Sequence, residues 1–102
     1  GGVLMGLGYA LTEDFPLKDG IPQARYGTLG LMRSTQIPDI HAIYVEKEEL
    51  LPFAYGAKGI GEIATIPTAP AAQGAYYAMD HVLRTKLPME NTYYSKKQKA
   101  VK

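Results

Sequence analysis

Cysteine is absent from all 102 residues. Its absence removes disulfide staples, thiolate zinc sites, iron–sulfur ligation and thiol nucleophiles together. It is compatible with a cytoplasmic location. An excess of one charge is missing too. Eleven Lys and Arg stand against ten Asp and Glu, for a formal net charge of +1. No strong field therefore exists to draw in nucleic acid or an acidic membrane. No apolar run approaches the roughly 18–20 residues that a membrane helix needs. Histidine occurs only as His41 and His81, an isolated pair that suggests no shared metal site. There is no Gly-x-Ser-x-Gly elbow for a serine nucleophile. The run Gly56-x-x-Gly59-x-Gly61 spaces its glycines opposite to the dinucleotide fingerprint. Lys58 is followed by Gly59 where a phosphate loop needs Ser or Thr. The eight Tyr and two Phe do not interleave with basic residues in a nucleic-acid pattern.

What is present is an ordinary folding composition, 46% apolar and 21% charged. The length allows one domain, with about a third of the unfolded chain's surface left exposed. The chain opens at Gly1 without a signal peptide, which reads as a processed chain or a piece of a larger protein.

Residues 1–12 are apolar and glycine-rich, with Val3, Leu4, Leu7 and Leu11 at helical spacing. Four glycines in the first eight residues make a poor isolated helix, at roughly 1 kcal/mol each relative to Ala. Gly2 and Gly6 share a face that another backbone or a bulky ligand could approach closely. Residues 13–22 read as a loop, with a turn at Asp19-Gly20 bracketed by Pro16 and Pro22. Residues 23–33 read as extended, around Tyr26, Thr28 and Leu29.

Residues 40–46 form the best strand pattern, with Ile43 and Val45 on one face and Ala42 and Tyr44 on the other. Glu46, Glu48 and Glu49 then form a solvated edge. Residues 52–62 are a glycine loop. A helix follows, capped by Thr68, with Pro70 in its first turn. Its apolar stripe is Ala72, Ala75, Tyr76, Met79, Val82 and Leu83, and Pro88 ends it. Gln73, Tyr77, Asp80, His81 and Arg84 face the other way. Residues 89–102, with Lys96, Lys97, Lys99 and Lys102, read as a mobile basic tail. The expected fold class is α+β: a small mixed sheet with two main helices. Such a thin core suggests dependence on partners.

The chemistry-bearing stretch is Gly56-Ala57-Lys58-Gly59-Ile60-Gly61-Glu62. Its glycines permit positive φ and close backbone approach, and its amides can donate to an anion or oxo group. Glu62 is placed to act as a general base. The plainer alternative is a surface Glu favouring the positive end of the coming helix.

At this motif the sequence resembles the molybdenum hydroxylases, the xanthine dehydrogenases and aldehyde oxidases. The resemblance spans roughly residues 1–90 and matches the C-terminal part of the molybdenum-binding large subunit. Three stretches carry it: Gly1 to Glu13; Ile37-Pro38-Asp39-Ile40, before a strand; and Gly56 to Glu62, running into Thr68-Ala69-Pro70-Ala71-Ala72. It implies a fragment of the larger cofactor-binding domain over residues 1–90; the basic tail, 91–102, read as flexible from its composition, has no counterpart in the family.

It further implies that Glu62 matches the family's catalytic base, which takes a proton from a molybdenum-bound hydroxyl during oxidative hydroxylation of a heterocycle or aldehyde. Lys58, Gly59, Ile60 and Gly61 would lie against the molybdenum–molybdopterin cofactor of the complete enzyme. None is expected in the isolated chain. The implied partners are the rest of the subunit, iron–sulfur and FAD subunits or domains, and a small-molecule substrate, with no nucleic acid and no membrane. The usual glutamine-containing approach to the first helix is absent, and so are the family's earlier substrate-positioning segments. The alternative is a non-catalytic interaction module, or a degenerate remnant, that keeps only the fold.

Overall fold

Glycine decides how the two helices meet. In the computed structural model, α1 spans Gly2–Leu11 and α2 spans Thr68–Asp80. Residues 1–47 and 53–95 are described. Glu48, Glu49 and Pro52, and the lysines Lys96, Lys97, Lys99 and Lys102, lie outside the described residues. The Gly2 and Gly6 face of α1 packs on the 3-10 turn Ile63–Thr65 and on the start of α2. A Cβ built on Gly6 would stand 2.6 Å from the Thr68 Cβ and 3.1 Å from the Thr65 carbonyl oxygen. A Cβ on Gly2 would meet the Ala64 Cβ at 3.1 Å. The Thr65 hydroxyl donates across the seam to the Gly2 carbonyl at 3.2 Å. The small-residue face read from the sequence is therefore a packing seam between backbones.

The C-terminal end of α1 builds the core. Ala10 and Leu11 are buried with Met89, and Leu7, Met32, Ala69, Ala72, Tyr76 and Tyr94 pack around them. Met89 donates its backbone N–H to the Ala10 carbonyl at 2.7 Å, tying the returning chain to the end of α1. Thr92 is buried, and it exchanges backbone-to-hydroxyl hydrogen bonds with Ser95. Met89 and Thr92 are thus buried at the start of the expected tail, Met89 lying against residues of both α1 and α2.

Asp19 and Gly20 both take positive φ, 52° and 77°. Those values make the tight two-residue turn that right-twisted strands prefer. The turn joins β1, Leu17–Lys18, to β2, Ile21–Pro22, with Leu17 opposite Pro22. The class is α+β as expected, and among the described residues the sheet is one antiparallel pair rather than a mixed sheet.

Three expectations change. Residues 23–33 are not a strand; Tyr26–Thr28 forms a 3-10 turn closed by the Thr28 hydroxyl on the Arg25 backbone. Residues 40–46 run without pairing. A strand exists only where a second edge accepts its hydrogen bonds, and the described residues supply none there.

The helix α2 also stops early. His81 adopts the left-handed conformation, φ 57°, and the Asp80 carboxylate accepts the Val82 N–H at 3.0 Å. That local side-chain bond competes with further helix. The buried side of α2 is Ala69, Ala72, Gln73 and Tyr76. Ala75 and Met79 lie roughly 90° round the helix and are exposed, as are Val82 and Leu83 beyond it.

The chain stays open. Its radius of gyration is 17.2 Å, against about 13 Å for a compact chain of this length. It exposes 8827 Å², where a folded monomer of 11.1 kDa exposes about 5,700 Å². Among the described residues, no helix is long and apolar enough to cross a membrane.

Candidate functional site

The glycine loop hangs from the clamped turn. Ile63–Thr65 is held on α1 through Ala64 and Thr65. The Thr68 hydroxyl donates to the Ala64 carbonyl at 2.7 Å and stiffens the junction into α2. Thr68 is thus the first residue of α2, and its hydroxyl braces the preceding turn instead of capping the helix N–H groups. Glu62 stands immediately before this clamp. Its carbonyl accepts the Thr65 N–H at 3.0 Å, while its carboxylate is exposed and makes no capping bond. Glu62 is therefore fixed at its backbone and open at its side chain.

Upstream the loop turns on itself. Ala54, Tyr55 and Gly56 take positive φ of 48°, 53° and 80° in succession. The Ala57 N–H closes this left-handed turn on the Ala54 carbonyl at 3.0 Å. The positive φ expected of the loop thus falls at its entrance. Lys58, Gly59, Ile60 and Gly61 follow as exposed chain. A Cβ on Gly59 or Gly61 would meet nothing within 4 Å. The five candidate residues are contiguous, and they lie on the surface together.

A second cluster escaped sequence reasoning. The Arg84 side chain is only 5% exposed. One guanidinium nitrogen pairs with Asp80 Oδ2 at 2.7 Å. The same nitrogen donates to the Asn91 carbonyl at 3.2 Å, and Nε donates to the Glu90 carbonyl at 2.8 Å. The guanidinium also lies 4.7 Å over the Tyr76 ring. Gln73 donates to the Arg84 carbonyl at 2.7 Å, while its buried Oε1 has no hydrogen-bond partner. The Arg84 guanidinium, then the Val82 N–H, hold the Asp80 carboxyl below its ordinary value of 3.8. Gln73 and Arg84 thus do not face solvent as expected; they staple the chain after α2. The four-residue spacing of Asp80 and Arg84 was the available signal.

The cofactor implied by the resemblance can be tested against this geometry. Among the described residues, no three His, Asp or Glu gather where they could hold a metal. An open groove of about 460 Å³ is lined by Tyr26, Leu31, Met32 and Arg33, remote in sequence from the loop. A smaller one of about 140 Å³ lies by Arg84 and Glu90. Neither includes Glu62. The residues present offer one carboxylate and an exposed loop, and by themselves they do not fit a large pterin group.

No model of a known protein family matches the chain. The chain is 33% identical over 94 residues to a protein of Bacillus subtilis (strain 168) named as a probable xanthine dehydrogenase subunit. The match takes in 87% of this chain and 12% of that protein. The chain thus spans about an eighth of the length of the relative it matches.

Proposed function

We propose that these residues are the C-terminal piece of the large subunit of a molybdenum hydroxylase, and that Glu62 serves it as general base. The observation that carries this reading is the 33% identity with a probable xanthine dehydrogenase subunit. The geometry agrees with it in one respect. A base must be held firmly and still reach a reactant, and Glu62 has an anchored backbone and an open carboxylate.

The chain's own part is one proton transfer: a carboxylate oxygen of Glu62 accepts a proton from the reacting centre. The backbone amides of Lys58, Gly59, Ile60 and Gly61 can donate to an oxygen-bearing group laid along the loop. The molybdenum cofactor, and the iron–sulfur and FAD groups that carry electrons away, belong to the rest of the enzyme. The substrate class is a small aldehyde or heterocycle.

The test is Glu62→Gln in the complete subunit. Turnover should fall on the order of 10²–10⁴-fold, the worth of a positioned base, with cofactor content unchanged. Turnover within a few-fold of the unaltered enzyme would place the base elsewhere. That result would favour the interaction-module reading, which the large exposed surface also suits.

A further inference from the structure

Two short turns follow β2, Tyr26–Thr28 and Ser34–Gln36, and they are built alike. In each, an arginine precedes the turn and the residue three positions on closes it. The Arg25 N–H donates to the Thr28 hydroxyl at 3.0 Å, and the Arg33 N–H donates to the Gln36 side-chain oxygen at 2.8 Å. Such bonds hold a turn without help from a sheet. The Arg33 guanidinium bridges the two turns by donating to the Gly27 carbonyl at 3.2 Å.

The chain between the turns is pinned to the end of α1. The Asp14 N–H donates to the Leu29 carbonyl at 3.0 Å. Gly30, at φ 85°, passes so close to the Thr12 carbonyl that any Cβ would collide with it. Met32 packs against the buried cluster of Ala10, Leu11 and Met89. The groove of about 460 Å³ between these turns is therefore shaped by bonds internal to the chain. Its volume falls within the roughly 300–1,000 Å³ of small-molecule sites.

The lining divides by chemistry. Tyr26, Leu31 and Met32 supply apolar wall, while Arg33, Ser34 and Thr35 bring a cation and two hydroxyls. No acidic residue among the described ones lines the groove. Gly27 is itself a lining residue, so its bond to Arg33 sets the guanidinium at the groove. That bond uses one of the five N–H donors of the group. A guanidinium with donors to spare favours a carboxylate, which it can hold by two parallel bonds. The Tyr26 ring, 81% exposed, and Leu31 offer an apolar surface for a flat ring.

We propose that this groove binds a small aromatic carboxylate, with the carboxylate on Arg33 and the ring against Tyr26 and Leu31. The groove stands apart in sequence from the Glu62 loop, and binding there is read without turnover.

The experiment titrates the 15N-labelled 102-residue chain with phenylacetate, 2-phenylacetamide and acetate, followed by amide NMR shifts. Phenylacetate should give saturable shifts at residues 26–35, at millimolar concentration for so small a ligand. The neutral amide and the ringless anion should each bind about tenfold more weakly, since each lacks one half of the contact. Arg33→Gln should weaken phenylacetate about tenfold and leave 2-phenylacetamide unchanged. The Thr28 amide, bonded to the Arg25 carbonyl at 2.8 Å, reports whether the turns survive that change. Leu31→Ala should weaken phenylacetate and leave acetate unchanged.

Equal binding of phenylacetate and 2-phenylacetamide overturns the proposal, as do shifts spread outside residues 26–35. Phenylacetate binding that Arg33→Gln retains, with the Thr28 amide in place, overturns it as well. If Arg33→Gln displaces that amide, Leu31→Ala decides, and unchanged phenylacetate affinity in that variant refutes the site. Shifts at 26–35 that follow protein concentration without ligand identify a carboxylate of a second copy as the occupant and overturn the small-molecule assignment.

Discussion

Adding one methyl group at Gly6 should weaken the chain, while adding the same methyl at Gly74 should strengthen it. Both glycines lie inside helices, so Ala gains about 1 kcal/mol of helix propensity at either site. At Gly74 nothing lies within 4 Å of the new Cβ, and the gain should stand alone. At Gly6 the Cβ lands 2.6 Å from the Thr68 Cβ and 2.9 Å from its hydroxyl. Thr68 can escape only by turning its hydroxyl off the Ala64 carbonyl, at about 0.5–1.5 kcal/mol. The Thr65 carbonyl, 3.1 Å away, is backbone and cannot turn aside. Overpacking of this kind costs about 1–3 kcal/mol. The propensity terms cancel between the two variants, so their difference isolates the packing term. Urea titration followed by far-ultraviolet circular dichroism would read it. At a slope of about 1 kcal/mol/M, the midpoints should separate by about 1 M or more. A Gly6→Ala midpoint at or above that of Gly74→Ala would mean that α1 does not rest on the 63–68 turn, and the anchoring of Glu62 would fall with it.

The remaining predictions concern charge and activity. Asp80 is held below 3.8 by Arg84, so its contribution to stability is fully present above the ordinary carboxylate range. It should be lost as pH falls through that lowered value; an NMR titration should show the Arg84 Nη–H signals broadening together with Asp80 protonation. Asp80→Asn should remove that acid step. The chain alone, given molybdenum cofactor and a dye acceptor, should show no hydroxylation of purines or aldehydes, because its residues do not enclose the group. In the complete subunit Glu62→Gln should lower kcat with little change in melting temperature, since the swap is nearly isosteric.

What was legible in the sequence was local. Asp19-Gly20 named its own turn, because few residue pairs tolerate two positive φ angles in succession. The Gly2 and Gly6 spacing announced a close approach, and Ala64, Thr65 and Thr68 provide it. Both helices begin near where their patterns place them. What was not legible depended on partners distant in sequence. The buried side of α2 could not be chosen from its alternatives, since Ala72 and Tyr76 belong to the expected stripe and to the observed one. Met89 gave no sign of reaching back to Ala10. The Glu62 loop was legible as a motif, but its lack of enclosure is a property of three-dimensional neighbours that spacing does not encode.

The elements that differ from their patterns are alike in one respect, and it bears on Glu62. Residues 40–46 have the pattern of a strand without a sheet, and Met79, Val82 and Leu83 have the pattern of a helix face without a cover. Each reads as buried because its composition is that of buried chain. The same holds for a glycine loop that leaves room above Gly59 and Gly61 and fills it with nothing from the described residues. The Glu62 backbone is clamped by contacts internal to the chain, through Thr65 and Gly2, so its position does not wait on a partner. The direct discriminator is therefore Gly61→Ala: silent in the free chain, where nothing lies within 4 Å, and damaging to turnover or cofactor retention in the complete subunit if another surface approaches the loop there. A variant silent in both settings would show that the loop faces water throughout, and Glu62 could not then be a base in an enclosed site.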